Sequence, residues 1–394
     1  MTKVRHRGRW TLADRDASVY QYLPVDVPPG AAGLTVTLQF DRGPAVLDLG
    51  LIDPERFRGW SGGERDRIAV ARDTATPGYL PGELPAGEWS VLLGLHRIPP
   101  GGIEYEVSAE TGPIALEPLP APPPRPERPP LRNLPAAQGR RWLAGDLHAH
   151  TVYSDGSLTI GELACLARSR GLDFLAVTDH NSPSHHPHLP AAADHAGIIL
   201  LPGQEVTTDT GHANCLGDVG WIDFREPADS WLVAAEARGG LMSINHPLAG
   251  DCRWRRPIGR RPALAEVWHS SWDRLAPMPL AWWAGWGAGT PIGGSDFHRF
   301  DGRLPGRPTT WVEAEDELVL QALEAGRVAI SAEPTGPILL RHHGELLAIE
   351  AEGTQLHGPE GTRATIRGDL VSFSAAEGPW WLTTADGRTV ALSA

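Results

Sequence analysis

Lysine is almost absent: Lys3 is the only one in 394 residues. This excludes Schiff-base chemistry and the lysine of a phosphate-binding P-loop, and leaves arginine to carry nearly all the positive side-chain charge. Cysteine is scarce as well. Cys165, Cys215 and Cys252 show no CxxC spacing, and an odd, sparse count suits a reducing cytoplasm better than a disulfide scaffold. The opening MTKVRHRGRWTLADRD has no apolar core of a secretory signal, and no stretch reaches the roughly 18 uninterrupted apolar residues of a membrane span. A cytoplasmic location is the expectation. The formal charge of −13 argues against nucleic acid or an anionic membrane as partner. It leaves room for a small anionic substrate if bound metal ions make a local cationic pocket.

Proline, by contrast, is concentrated. The segment Glu117–Pro135 (EPLPAPPPRPERPPLRNLP) should run extended as a semi-rigid spacer, dividing the chain into residues 1–116, a linker over 117–139, residues 140–335 and a tail over 336–394. Before the linker, β-rich runs at Leu34–Phe40, Ala45–Ile52, Glu88–Leu95 and Ile103–Glu110 lie between Gly/Pro turns and predict an antiparallel β-sandwich. Trp60, Tyr79 and Trp89 there are expected to pack a core. After the linker, strand-like runs at 142–150, 173–180, 198–208, 213–219, 240–247, 264–270, 290–298 and 309–314 alternate with helical segments at Thr159–Ser169, Asp229–Arg238, Met278–Trp286 and Glu317–Ala325. Thr159 and Glu162 have capping-box spacing, and Gly171 and Gly326 stand where helices should end. The alternation predicts an α/β fold with a parallel sheet closed as a barrel. The tail reads as a small β-rich extension.

Ligand-type side chains fall at the ends of these strands. His148 and His150 close the first, with Asp155 in the following turn; Asp179 and His180 close the second; Glu205 closes the third, with His212 in the turn after it. A later strand ends in His246, and Asp296 and His298 close the last of the set. Eleven of the sixteen histidines lie between His148 and His298. On a strand, H-x-H and D-x-H point both donors to one face, and imidazole with carboxylate suits Zn, Mn or Fe. The same groups packed without a cation would suffer desolvation and like-charge cost. Asp179 is expected to orient its neighbours rather than to ligate. His185, His186, His188 and His195 read as surface residues.

GDLHAHTVYSDG, GLDFLAVTDHN, PGQEVTTDTGHANCLG, INHP and GGSDFH together resemble the successive motifs of the polymerase-and-histidinol-phosphatase (PHP) superfamily, in order from Gly145 to His298. The extended spacing through TGHANCLG, with RGWSGG and ATPGYLPGELPAGEW further upstream, resembles its carbaryl-hydrolase-like branch. The resemblance implies a distorted (β/α)7 barrel with two or three divalent ions at its mouth. By motif, His148, His150, Glu205 and Asp296 would hold one ion. Glu205 would bridge to a second, completed by His246 and His212, and Asp155, His180 and His298 would form a third group. Trp268-His269 departs from the pattern, in which an asparagine is expected after the tryptophan.

The expected activity is hydrolysis of a small phosphomonoester or phosphodiester by a metal-activated hydroxide. His212 or His269 would protonate the leaving oxygen, and Arg253, Arg255 and Arg256, above all Arg255, would grip phosphate. A carbamate, ester or amide hydrolase is the alternative on the same metals, with Trp268, Trp272, Trp282, Trp283 and Trp286 as an aromatic pocket, although the last three fall on a helix where core packing is expected. A non-catalytic metal-containing binding module is a third reading.

Overall fold

The computed structural model describes residues 2–272, 277–287, 289–315, 317–374 and 378–393. The chain forms two compact units. The first comprises Met1–Pro120 with Val152–Gly156 and Asp179–Pro187; the second comprises Ala121–Thr151, Ser157–Thr178 and His188–Ala394.

The first unit contains β1 (Lys3–Trp10), α1 (Leu12–Ala17), β2 (Tyr20–Val27), β3 (Gly33–Phe40), β4 (Val46–Ile52), β5 (Phe57–Trp60), β6 (Arg67–Ala71), β7 (Gly87–Arg97) and β8 (Ile103–Thr111). These make two four-stranded antiparallel sheets, ordered β1-β8-β3-β6 and β2-β7-β4-β5. Both contribute to one apolar core that includes Leu34, Val36, Leu47, Leu49, Trp89, Val91 and Val107. Trp60, Tyr79 and Trp89 are buried, as their aromatic bulk requires. Four of the eight strands, β1, β2, β5 and β6, were not picked out from the sequence. β1, for example, is held at the edge by Arg5 and Arg7 against Glu106, so its period is one of charge.

The second unit is mixed α/β. Its strands are β9 (Arg141–Asp146), β10 (Phe174–Val177), β11 (Ile199–Thr208), β12 (Gly211–Leu216), β13 (Leu241–Ile244), β14 (Leu264–His269), β15 (Thr290–Gly294), β16 (Thr309–Ala314) and β17 (Val328–Ser331). Its helices are α2 (Ile160–Ser169), α3 (Leu189–Ala196), α4 (Ala228–Glu236), α5 (Pro277–Trp286) and α6 (Val319–Glu324). The tail adds β18 (Ile338–His342), β19 (Glu345–Ile349), β20 (Gln355–Gly358), β21 (Gly361–Thr365), β22 (Leu370–Ser374), β23 (Trp380–Thr383) and β24 (Thr389–Ser393).

One sheet runs β15-β14-β13-β12-β11-β10-β9-β16-β17-β24-β23-β20-β21, with β18-β19-β22 separate. The tail thus extends the sheet through the β17–β24 pair. The sheet is not purely parallel, contrary to the sequence expectation. β12 is antiparallel to both β11 and β13, and β16 to β9. β11 and β12 are joined by Asp209-Thr210 alone, and so short a link permits only antiparallel pairing. At the other end of the series, Gly293 N–H of β15 donates to Thr310 Oγ1 of β16 (2.8 Å), and that hydroxyl donates back to Gly293 O (2.9 Å).

α2 begins at the foreseen capping box: Thr159 N–H donates to Glu162 Oε2, and Glu162 N–H to Thr159 Oγ1. α3 was not foreseen. Its Pro190 sits in the first turn and Gly197 closes it at φ 69°, both permitted positions. The Pro-rich linker carries no helix or strand over 117–137 and is fixed along the second unit. Arg128 donates to Asp173 Oδ1 (2.7 Å) and Gly171 O (3.0 Å), and Arg132 to Gly336 O (2.7 Å).

Candidate metal centre

Backbone pairing explains why the two spaced pairs meet. Ala149 forms a parallel bridge with Phe297, and His150 N–H donates to Phe297 O (2.9 Å). With the central residues paired, their flanking side chains alternate to the same face. His148 Nε2 lies 3.2 Å and His150 Nε2 3.1 Å from Asp296 Oδ1. Glu205 comes from β11, with Oε1 3.2 Å from His148 Nε2 and Oε2 3.5 Å from His150 Nε2. On the neighbouring strand, His212 is directly opposite Thr207, and Asn214 directly opposite Glu205. Glu205 Oε1 is 3.2 Å from His212 Nδ1 and 3.4 Å from His246 Nε2. Two clusters of potential ligand atoms result, each within 4.8 Å throughout: His148, His150, Glu205 and Asp296, and Glu205, His212 and His246. Glu205 belongs to both.

These groups are held by residues that the motifs did not single out. Glu266 Oε1 accepts from His148 Nδ1 (3.0 Å) and Oε2 from His246 N–H (2.6 Å). Asn245 Nδ2 donates to Glu205 Oε1 (2.9 Å). Asp146, fully buried, accepts from the backbone N–H of His148, Ser295 and Gly306, tying the end of β9 to the end of β15. Burial raises its carboxyl group against those bonds. Glu266 has one audible signal in the sequence, an acidic residue inside an otherwise apolar strand. Arg303 Nη1 lies 3.5 Å from Asp296 Oδ2.

Electrostatics ask for a cation here. Since Glu266 takes the Nδ1 proton, a neutral His148 presents a bare Nε2 to two carboxylates. That buried nitrogen makes no hydrogen bond. Burial disfavours an imidazolium, yet the charges of Glu205, Asp296 and Glu266 outweigh burial and raise His148 well above the usual imidazole range. Burial likewise pushes Asp296 up, but His148, His150 and His269 outweigh it and hold the carboxyl well below its usual range. Three carboxylates, Glu205 and Glu266 buried and Asp296 largely so, demand positive charge. A divalent ion supplies it without protonating the ligands, and the donor set of imidazole and carboxylate fits one. His246 and Asp296 adopt left-handed φ values of 26° and 50°, a strained state that clusters at functional positions.

The remaining residues distribute as follows. His298 donates from Nδ1 to Asp296 O (2.9 Å) and stacks on His150 with ring centroids 4.1 Å apart. His269 joins the cluster, its Nε2 3.2 Å from Asp296 Oδ2 and its Nδ1 2.7 Å from Ser271 Oγ. In the first unit, Asp155 Oδ1 and His180 Nε2 are 3.5 Å apart, and Ser154 Oγ donates to Asp179 Oδ1 (2.6 Å). His185 corrects the surface expectation: it is fully buried, with Nδ1 3.5 Å from Asp179 Oδ2. Its position in a Pro- and His-rich run hid the burial. His188 is exposed, and His195 donates from Nε2 to Pro123 O (2.8 Å). Arg253 and Arg255 are exposed; Arg255 donates to Asp209 O (2.5 Å). The Arg256 guanidinium stacks over Trp231 at 4.6 Å. Trp272, Trp282 and Trp283 pack against a core cluster containing Trp268 and Leu280.

Residues 146–247 match the PHP domain family. The matched stretch contains His148, His150, Glu205, His212 and His246, whereas Asp296 lies beyond it. Over 64 residues it is 38% identical to a 5'-3' exoribonuclease of Haemophilus influenzae, and over 84 residues 40% identical to a 3',5'-nucleoside bisphosphate phosphatase of Chromobacterium violaceum. These matches cover 16% and 21% of this chain and 23% and 29% of the relatives, so the chain spans about a quarter of the length of the curated relatives it matches. A solved two-domain protein of Bacteroides vulgatus, containing a predicted PHP-like metal-dependent phosphoesterase, is 18% identical with a TM-score of 0.44, over 68% of this chain and 90% of that one.

Proposed function

We propose that this chain is a metal-dependent hydrolase, a phosphoesterase acting on a small anionic phosphomonoester or phosphodiester. The observation that carries the reading is Glu205 shared between two ligand clusters, with the bare Nε2 of His148 facing two carboxylates. The PHP domain and the phosphoester chemistry named for the relatives support the choice of bond.

His148, His150, Glu205 and Asp296 are the proposed ligands of one divalent ion, and Glu205, His212 and His246 of a second. Asp155 and His180 are proposed ligands of a further ion, and His298 offers its own Nε2. When bound, such ions acidify water and neutralise charge on phosphoryl oxygens. Glu266 fixes the His148 tautomer, and Asn245 orients Glu205, so both ligands are set before binding. His269, against Asp296, is the proposed proton donor to the leaving oxygen. Arg255 is exposed for an anionic substrate. We read the eight strands β9–β16, the series ends joined through Thr310 and Gly293, as a distorted α/β barrel of the (β/α)7 kind with one strand added, and the two N-terminal sheets as a β-sandwich.

The test is elemental analysis of protein purified without chelator, beside His148→Ala. Two or three equivalents of Zn, Mn or Fe in the wild type, fewer in the variant, with aryl phosphates cleaved in preference to aryl carbamates, are expected. A folded protein that takes up no added Mn²⁺ or Zn²⁺ overturns the reading; carbamate preference overturns the choice of bond.

A further inference from the structure

The first unit includes two short segments far along the chain from its sheets, Val152–Gly156 and Asp179–Pro187. Each carries a proposed metal ligand, Asp155 in one and His180 in the other. The sheets hold both segments by specific bonds. Arg65, in the β5–β6 connection, donates from Nη1 to Ser154 O (2.7 Å) and from Nη2 to Val152 O (2.5 Å). Two carbonyls of the segment are thus clamped by one planar fork, a geometry that an ammonium cannot reproduce. Gly78, next to the core residue Tyr79, accepts at its carbonyl from Ser182 Oγ (2.7 Å). Gly78 itself has φ +96°, and a Cβ there would stand 2.7 Å from Tyr153 O, so the backbone of the Asp155 segment lies close against it. The segments are also bonded to each other, Ser154 Oγ donating to Asp179 Oδ1 (2.6 Å), with the ring of Tyr153 edge-on to His185.

A loop carboxylate and a loop histidine do not keep a 3.5 Å separation by local preference alone, since loops are the mobile part of a fold. We propose that Arg65 is a positioning residue for the ligand pair Asp155 and His180, so that the N-terminal sheets hold that pair in place rather than forming an appended domain. Gly78 and Ser182 play the same part at the second segment. This rests on the functional reading above, in that Asp155 and His180 must be ligands.

The test uses the full chain with Mn²⁺ or Zn²⁺ alone as probe. Bound ions are counted by elemental analysis, and affinity is measured by competition with a chelator, for wild type, His180→Ala, Arg65→Ala, Arg65→Lys and the control Arg72→Ala, an exposed residue paired with Glu83. The expected result is that Arg65→Ala, with an unchanged melting temperature, holds one ion about 10- to 100-fold more weakly, as loss of outer contacts to ligands typically does. That ion should be the one lost in His180→Ala. Arg65→Lys should be intermediate and Arg72→Ala like wild type. Wild-type affinity for every ion in Arg65→Ala overturns the inference and leaves the hydrolase reading standing. No loss in His180→Ala overturns it at its premise, and a metal-free wild type overturns both readings. If Arg65→Ala does not fold, the same comparison with Ser182→Ala decides.

Discussion

At His148 two carboxylates face one nitrogen, and whatever cation sits there sets the pH behaviour of the protein. In the metal-free state, the contribution of the depressed Asp296 is complete above about pH 4 and is lost as pH falls through its folded value. The contribution of the raised His148 is complete below about pH 6.5 and is lost as pH rises through its folded value. Metal-free protein should therefore be most stable in the window between, and weaken toward alkaline pH. Metal needs the unprotonated Nε2, so loading should become more favourable as pH rises. Melting temperatures from pH 5 to 8.5, with and without chelator, should show a gap that widens with pH. A constant gap would place the bound cation away from His148. The strand-end histidines and carboxylates were legible because their spacing repeats a chemical pattern. Glu266 and Asn245 were not, because a residue that orients a ligand from another strand shares no local spacing with it.

Among the elements, β15 shows how a strand can be shaped by what lies beside it. Gly294 leaves no room for a side chain: an added Cβ would meet Glu266 Oε1 at 2.2 Å and His148 Cβ at 2.7 Å. Gly294→Ala should displace the Glu266–His148 pair, costing about 1–3 kcal/mol as overpacking does and lowering metal affinity. Calorimetric melting and a chelator competition would check both effects; loss of stability without loss of affinity would show that Glu266 does not set the His148 orientation. Helix α2 was legible down to its cap because capping is local chemistry. The antiparallel β12 was misread because alternation of strand and helix is only a statistical guide to direction, and the two-residue link to β11 decides it. β1 was missed because it is stabilised by cross-strand charge pairs with β8, which lies about a hundred residues away.

On the scale of the whole molecule, the semi-rigid spacer suggested by composition is also tied down along its length. Arg128 and Arg132 fix it to Asp173, Gly171 and Gly336. Arg125 and Arg128 each precede proline, leaving the bond after Arg132 as the tryptic site there. Native protein should resist cleavage after Arg132 under conditions that cut the bond after the exposed Arg72. Rapid cleavage into two fragments, seen by mass spectrometry, would show a detached linker.

The sequence by itself determined which donor residues cluster and the α/β character of the second unit, because donor type and apolar period are local properties. Only tertiary structure decided that Glu205 is shared by two clusters, that Glu266 takes the proton of His148, that His185 is buried, and that Val152–Gly156 and Asp179–Pro187 fold with the N-terminal sheets. Each of these depends on which distant strands and loops become neighbours, and burial and hydrogen bonding between residues far apart in sequence leave no periodic trace in the chain.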